Sequence, residues 1–510
     1  MKTLVRFLLV GFLVLASHGT AHAQKSWNVT TGSWAGTNNW TPSGVPTASD
    51  NVSIANGGTA TLAASGAVFG TLSIGSNSAL IKTSAGSFTI FQNSPPASPV
   101  INAGLISVSS GTMTLGHQTT GTNFAITNTG GVMRATGGGV FAFTRNSAYA
   151  FTGGTIDIGV GSMLDQYKIM TLTNVNYSNS GTTQTKTDGN QVNTTFQLSG
   201  TSSFNNTGVL AVINQNNDTV TAKTTKFVVD STASLTNAST GVINIRRDLP
   251  TSGTNVTVAH EAFLQLDAAG FTNQGAINIT STNSQVGTAQ FRASSVDFSN
   301  AGAITVNGSR SSIEMGSRTF TQTAGSLSLV NGGRITAGSV LINSGTLLGT
   351  GTIAAPVTIG GILSPGSGGI GTLSVSNGVT WNAGNAWKFE LGTAAQSLAA
   401  AVSGSSTGDL LALTGAFGQG SGSDFTFDFA SSGTDGWYKL VDYASTTFAT
   451  GTNAAFKATN LPAGKTANFV VDSSSTALYV QIVPEPGTIA LAGVGAAFAA
   501  LMYRKRRWDR

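Results

Sequence analysis

The 510-residue sequence predicts an almost all-β protein built as a parallel β-helix, or β-solenoid, and three observations support this fold class. Only 9% of the residues are charged, so the long charged side chains that favour helix surfaces are scarce. Thr, Val and Ile, whose branched side chains favour strands, are abundant throughout the chain. A unit of turn residues followed by alternating apolar residues recurs between Ile101 and Leu348, which indicates stacked coils of strand.

The chain begins with a predicted secretory signal peptide, residues 1–23. Lys2 and Arg6 flank the start of an apolar stretch, and Ala21-His22-Ala23 places small residues just before a cleavage site. We expect cleavage after Ala23, which makes Gln24 the first residue of the exported protein.

Residues 24–100 are assigned to an N-terminal cap and the first coils. Trp27, Trp34 and Trp40 fall within 14 residues, in a spacing that resembles the opening of many bacterial secreted solenoid proteins. Two interpretations are open. The rings form a stacking platform for a glycan, or they cover the apolar end that a first coil exposes. We favour the cap and retain the three tryptophans as candidate glycan contacts.

Residues 101–378 contain the repeated unit, in which Asn and Gly occupy the turn and alternating apolar residues follow. Asn and Gly tolerate a positive φ, and alternation puts side chains such as Ile277 and Ile279 on one face of a strand. The irregular period, mostly 20 to 34 residues, is typical of a β-solenoid. Stacking of such turns also favours ladders of asparagine side chains. The densest stretch, 332–378, resembles the β-helix passenger regions of autotransporters.

Residues 379–482 are predicted to form a separate C-terminal β cap domain. Short alternating strands are separated there by turns rich in Ser and Gly. Asp409, Asp424 and Asp428 are expected mostly on the solvent side. The domain is expected to lead into a linker before Pro484.

The last segment, 483–510, has the composition of a short membrane anchor. Thr488 to Tyr503 carries no charge, and its 16 residues span about 24 Å as a helix, short for a hydrocarbon core of roughly 30 Å. A basic cluster follows this transmembrane helix and predicts that the tail stays in the cytoplasm; it comprises Arg504, Lys505, Arg506 and Arg507. Pro484 and Pro486 are expected to interrupt regular structure and leave Glu485 extended and accessible.

The order of VPEPGT, an apolar span rich in Ala and Gly, and RKRR resembles the PEP-CTERM sorting signal. The resemblance implies that Pro484, Glu485 and Pro486 are recognised by an exosortase, an integral-membrane cysteine protease of Gram-negative bacteria that make extracellular polysaccharide. The expected route is export through the inner membrane, transient anchoring, and a final location at the cell surface or in the medium. Extracellular polysaccharide is an expected partner.

Charge excludes a nucleic-acid-binding role for the exported part. The formal charge of +5 and the pI near 9.4 come from the two ends of the chain, and residues 24–503 hold 18 basic and 19 acidic residues. A basic patch for phosphates is therefore not expected. The absence of cysteine excludes thiolate metal sites and cysteine nucleophiles.

Catalytic and metal-ligand motifs are not found. His18 and His22 leave with the signal peptide, and His117 lies in a Gly/Thr-rich turn. His260 and Glu261 lack the second histidine of a zinc-protease motif, because position 264 is leucine. We therefore predict no catalytic residue, no metal and no cofactor, and a surface or matrix protein with a structural or adhesive role rather than an enzyme.

The alternative is a β-helix enzyme that degrades polysaccharide, as a lyase or a hydrolase. Arg310, Glu314 and Arg318 would share one face if their strand were regular. Polysaccharide lyases of the right-handed β-helix class use basic residues and carboxylates on such a face. On this alternative these three residues, or Trp27 and Trp34, would contact the glycan.

Overall fold

The protein is a stack of β coils. The computed structural model describes residues 23–63, 67–92, 100–117, 123–143, 148–189, 193–248, 258–267, 270–282, 286–366, 368–430, 432–485 and 500. These residues form three long sheets, which we name A, B and C, with 21, 17 and 13 strands, and a three-stranded sheet D. The all-β solenoid predicted from the sequence is confirmed.

The N-terminal end differs from the regular coils in one antiparallel pair. It comprises β1 (Gln24–Trp27), β2 (Thr31–Ser33), a 3₁₀ helix (Thr37–Asn39) and β3 (Trp40–Thr41). β1 pairs in parallel with the first strand of the next coil on one edge and antiparallel with β3 on the other. β3 therefore lies over the outer edge of sheet A.

The next coils each place one strand in sheet A, one in sheet B and one in sheet C, in that order. In chain order they are β4 (Asn51–Ile54), β5 (Thr59–Leu62), β6 (Ala67–Phe69), β7 (Thr71–Ile74), β8 (Ala79–Lys82), β9 (Ser87–Gln92), β10 (Val100–Asn102), β11 (Leu105–Val108), β12 (Thr112–His117), β13 (Asn123–Thr127), β14 (Val132–Ala135), β15 (Val140–Phe143), β16 (Ala148–Thr152), β17 (Thr155–Ile158), β18 (Met163–Gln166), β19 (Ile169–Thr173), β20 (Asn176–Asn179), β21 (Thr182–Gly189), β22 (Thr194–Ser199), β23 (Ser203–Asn206), β24 (Val209–Asn216), β25 (Thr224–Val229), β26 (Ser234–Asn237), β27 (Val242–Arg247), β28 (Glu261–Leu266), β29 (Phe271–Asn273), β30 (Ala276–Ser281), β31 (Thr288–Arg292), β32 (Phe298–Asn300), β33 (Ala303–Asn307), β34 (Ser311–Glu314), β35 (Thr319–Gln322), β36 (Ser326–Val330), β37 (Arg334–Thr336), β38 (Ser339–Ile342), β39 (Thr346–Gly349), β40 (Thr352–Ala354), β41 (Val357–Ile359) and β42 (Ile362–Pro365).

The remaining elements begin with further parallel coils and end in an antiparallel sheet. They are β43 (Thr372–Val375), β44 (Val379–Trp381), β45 (Trp387–Lys388), α1 (Leu398–Val402), β46 (Leu410–Leu413), β47 (Ala416–Gln419), β48 (Phe425–Asp428), β49 (Gly436–Asp442), β50 (Ser445–Thr446), β51 (Gly451–Thr452), β52 (Phe456–Thr459), β53 (Lys465–Asp472) and β54 (Ala477–Pro484).

Alternation within each strand builds the core. In β30, Ile277 and Ile279 are buried, and Ile277 stands in register with Ile304 of the next coil. The coils differ in length, since residues paired between parallel strands of sheets A to C are separated by as few as 16 residues (Thr346 with Ile362) and as many as 38 (Thr372 with Leu410). Register is held because a slip of one residue would turn each apolar face outward.

Buried amide side chains form a ladder along one corner of the solenoid. Each of the first five amides donates to the side-chain oxygen of the amide in the next coil over 2.6–2.9 Å. The members end six successive strands of sheet B and are almost fully buried: Asn179, Asn206, Asn237, Asn273, Asn300 and Gln322. Stacking of the repeated unit allows an asparagine ladder, and the structure contains one.

The glycine of the repeated unit is required for a reason that differs from the expectation. Gly130 and Gly345 have a positive φ, as expected. A Cβ on Gly275 would lie 2.2 Å from the Gly241 carbonyl oxygen, and one on Gly302 would lie 2.1 Å from that of Gly275. These glycines are required because successive coils approach too closely for a side chain.

The predicted domain boundary at 379 is too early. β43 pairs in parallel with β46, and β44 with β47, so the coils continue past it. One core runs from Trp27 to Ile482. Large aromatic residues changed the composition here without changing the pairing. At the C-terminal end of sheet A the pairing becomes antiparallel: β54 pairs with β49 and β53, and β51 pairs with β53.

Asp409 is buried, contrary to the expectation that it faces solvent. It is 1% exposed, and its carboxylate accepts hydrogen bonds from the backbone N–H groups of Gly371 and Glu390, both at 2.8 Å. Burial raises the pKa of Asp409 to about 6. The carboxylate therefore fixes the loop that carries α1 between two coils.

Candidate functional site: the sorting-motif junction

The strand that ends at the tripeptide is held on both sides. β54 lies between β49 and β53, and both neighbours run antiparallel to it. Leu478, Val480 and Ile482 enter the main core, and Tyr479 packs in a second cluster beneath α1. Since β54 is buried on both faces, its position is fixed up to Ile482.

The first residues of the tripeptide belong to this sheet. Val483 is paired with Thr466 and Pro484 with Lys465. The Glu485 N–H then donates to the Gly464 carbonyl oxygen over 2.9 Å. The prediction of a linker before Pro484 is therefore wrong, because β54 continues into the tripeptide. Glu485 itself is exposed, as expected.

Pro484 fits in the sheet because of its register. Antiparallel ladders alternate between hydrogen-bonded and non-hydrogen-bonded pairs. The bond from Glu485 to Gly464 makes Lys465 and Pro484 a non-hydrogen-bonded pair, so the position requires no N–H directed at β53. Proline, which has no N–H, can occupy such a position without breaking the ladder.

Charges at the junction are paired across the sheet end. The Lys465 ammonium lies 2.5 Å from a carboxylate oxygen of Asp435, just before β49. Both side chains are partly exposed, so this ion pair contributes at most about 1 kcal/mol. The start of the tripeptide is thus held by backbone pairing, with one ion pair beside it.

The rest of the tail lies outside the described residues. This applies to Pro486, to nearly all of the predicted transmembrane helix at 488–503, and to the basic cluster Arg504, Lys505, Arg506 and Arg507. Within the described part of the chain, no helix has the length and apolar character needed to cross a membrane. The signal peptide at 1–23 lies outside it as well, apart from Ala23, and Gln24 is the first residue of β1.

The three N-terminal tryptophans are brought together, but inside the protein. Trp27, Trp34 and Trp40 are 3%, 5% and 1% exposed. Trp40 meets both other rings edge to face, at 4.8 and 4.9 Å, and its Nε1–H donates to the Trp34 carbonyl oxygen. Their faces are covered by protein, so the structure does not support the prediction that they contact a glycan.

Arg310, Glu314 and Arg318 do not form one face. Arg310 precedes β34, Glu314 ends it, and Arg318 lies in the turn before β35 in another sheet. The strand is too short for the regular spacing that the prediction assumed. Glu314 instead pairs with Arg334 of the next coil at 2.9 Å. This is an ion pair on a partly exposed surface, of a kind that contributes about 0–1 kcal/mol.

Sequence reasoning missed a buried polar cluster at the corner between sheets C and A. The His260 Nδ1 accepts the Lys223 N–H over 2.9 Å, so its Nε2 donates to the Asp218 carbonyl oxygen over 3.0 Å. The buried Arg247 guanidinium donates to the carbonyl oxygens of Asn214 and Asn216. The cluster bonds mainly to backbone and fixes the loop after β24. The features of the sequence that could have indicated this cluster are the single histidine His260 and the charged run of Arg246, Arg247 and Asp248.

Metal ligands do not cluster in the described part of the chain. Groups of three or more His, Asp or Glu that could hold an ion are not found there.

Together the fold and the junction define a β-solenoid whose last described strand, β54, continues into the tripeptide. The profile of the PEP-CTERM protein-sorting motif matches residues 483–507. This motif implies exosortase-dependent sorting to the cell envelope or surface in Gram-negative bacteria. A search among curated proteins found no significant match.

Proposed function

We propose that the protein is a structural or adhesive component of the cell surface or extracellular matrix. An exosortase recognises Pro484, Glu485 and Pro486 and cleaves the chain close to Pro486. Hydrolysis of one peptide bond consumes one water, leaves a carboxylate on the solenoid and frees the amino end of the tail. The sorting motif at the end of a solenoid strand is the observation that carries this proposal.

The outer face of sheet B supports an association with extracellular polysaccharide. The residues at the centre of successive strands point outward, roughly 4.8 Å apart, and carry small polar side chains. In order they are Ser178, Asn205, Thr236, Thr272, Ser299 and Thr321. A nearly uncharged array of hydroxyl and amide groups is suited to hydrogen-bond the hydroxyl groups of a long glycan.

Charge placed on this face tests the association. We expect the double substitution Thr236→Glu and Thr272→Glu to lower binding to cellulose at least several-fold, because two adjacent carboxylates displace neutral donors and acceptors. The matched control is Thr305→Glu with Ser328→Glu, a register pair on the outer face of sheet C. Pull-down of the mature protein by insoluble cellulose measures both. Equal losses, or no loss, would contradict the assignment to sheet B.

Turnover separates this proposal from the enzymatic alternative. The mature protein is incubated with cellulose and with polygalacturonate, with and without Ca²⁺, and the release of reducing ends or unsaturated products is measured. We expect binding without turnover. Turnover that is abolished by Arg310→Ala would defeat the structural proposal.

A further inference from the structure

The sorting motif begins inside a folded sheet, so its first residues are already hydrogen-bonded before an exosortase binds them. The backbone of Val483 is paired with Thr466, and the Glu485 N–H is bonded to the Gly464 carbonyl oxygen. Peptides are commonly bound through their extended backbone, whose hydrogen-bonding groups supply the affinity. At this junction those groups are already occupied by β53.

The sheet also limits how far the strand can open. Ile482 is 0% exposed in the main core, and it is paired with Ala467 on one side and with Gly436 on the other. Beyond it, β49 contributes no further pair, and only β53 holds the chain. Val483, Pro484 and Glu485 can therefore fray while Ile482 stays in place, as strand ends do in native proteins.

We infer that β53 is a positioning strand for the sorting motif. Lys465 and Thr466 of this strand, with Gly464 directly before it, hold the start of the motif, and the exosortase reads the motif after these last ladder bonds open. The inference rests on the proposed function. Cleavage near Pro486 then leaves β54 complete, so the mature solenoid keeps the antiparallel pairs of β54 with β49 and β53.

Two neighbouring residues of β53 give a matched test. The alternation of the ladder directs the N–H of Thr466 at Val483 and that of Ala467 at the opposite edge. Thr466→Pro therefore removes a bond to the motif strand, whereas Ala467→Pro does not. Since one hydrogen bond of ordinary strength changes an opening equilibrium roughly three- to tenfold, we expect Thr466→Pro to speed processing by that factor.

The measurement is the rate at which the full-length chain is converted to the mature form in cells that contain the exosortase, followed by pulse-chase and mass spectrometry of the C-terminus. Ala467→Pro is expected to behave as wild type. Insertion of Gly-Ser-Gly-Ser between Val483 and Pro484 frees the tripeptide without touching β53, and it should also speed processing. This second variant keeps the test valid if Thr466→Pro does not fold.

The outcomes separate the two proposals. Wild-type processing that neither Thr466→Pro nor the insertion accelerates would overturn the positioning role and leave the sorting proposal intact. Equal acceleration by Thr466→Pro and Ala467→Pro would overturn it too, because general destabilisation would then be the cause. If neither the wild-type chain nor the insertion variant is processed, the sorting proposal itself is defeated.

Discussion

At the scale of single residues, buried polar groups hold this solenoid in register. Asn206 accepts a hydrogen bond from Asn179 over 2.7 Å and donates one to Asn237 over 2.7 Å. A slip of two residues would keep the apolar side chains facing inward, whereas an amide ladder has one register in which its members are bonded. The protein has no cysteine, so such ladders take part of the role that disulfides have in many secreted proteins.

Two adjacent asparagines test the ladder. Asn206→Ala removes two buried hydrogen bonds and leaves partner groups in the core unsatisfied, so we expect a loss of roughly 2–4 kcal/mol of unfolding free energy. Asn205 lies on the outer face of the same strand and is exposed. Asn205→Ala should change stability by less than about 0.5 kcal/mol. Urea unfolding compares the two, and similar values would contradict a role for the ladder.

His260 gives a prediction for pH. Burial lowers the pKa of His260, and the charges of Arg247 and Lys223 add to the effect, while Asp218 opposes it. Below about pH 6.5 the unfolded chain takes up a proton that the folded one resists, so acidification lowers stability.

Relative to His260→Gln, the wild-type protein should lose up to about 1.4 kcal/mol per pH unit between pH 6.5 and 5.5. The raised pKa of Asp409 acts in the opposite direction but is common to both proteins and cancels in the difference. Urea midpoints at each pH provide the measurement. A constant difference, or one that favours the wild-type protein in acid, would contradict the buried neutral histidine.

At the scale of elements, the sequence predicts the coils well because their signals are local. Alternation with period two, and the return of Asn and Gly, require only neighbouring residues, as in β30 and β33. The role of Gly275 could not be predicted in this way, because it depends on the Gly241 carbonyl oxygen of another coil. The boundary at 379 was wrong because short alternating strands and turns rich in Ser and Gly also occur in coils, and only the pairing of β43 with β46 and of β44 with β47 shows that the coils continue.

The candidate site was predicted in part, again for physical reasons. The tripeptide and its order relative to the apolar span are local features. That Pro484 belongs to a strand depends on the parity of its pairing with Lys465, which is a tertiary property. Whether Trp40 is buried or exposed could not be read from its spacing, since a cap and a stacking platform both require aromatic residues there.

At the scale of the whole molecule, the described strands extend from one predicted processing site to the other. β1 begins at Gln24, directly after the predicted signal cleavage site, and β54 ends at Pro484, within the sorting motif. Both cuts would leave the stack of coils intact. A nearly neutral solenoid would then be released without its basic tail.

The mass of the surface form tests the account most directly. The protein is isolated from the surface or the medium of cells that contain the exosortase, and its two termini are determined by mass spectrometry. We expect a chain that starts at Gln24 and ends close to Pro486. A surface form that still carries Arg510 would contradict the account.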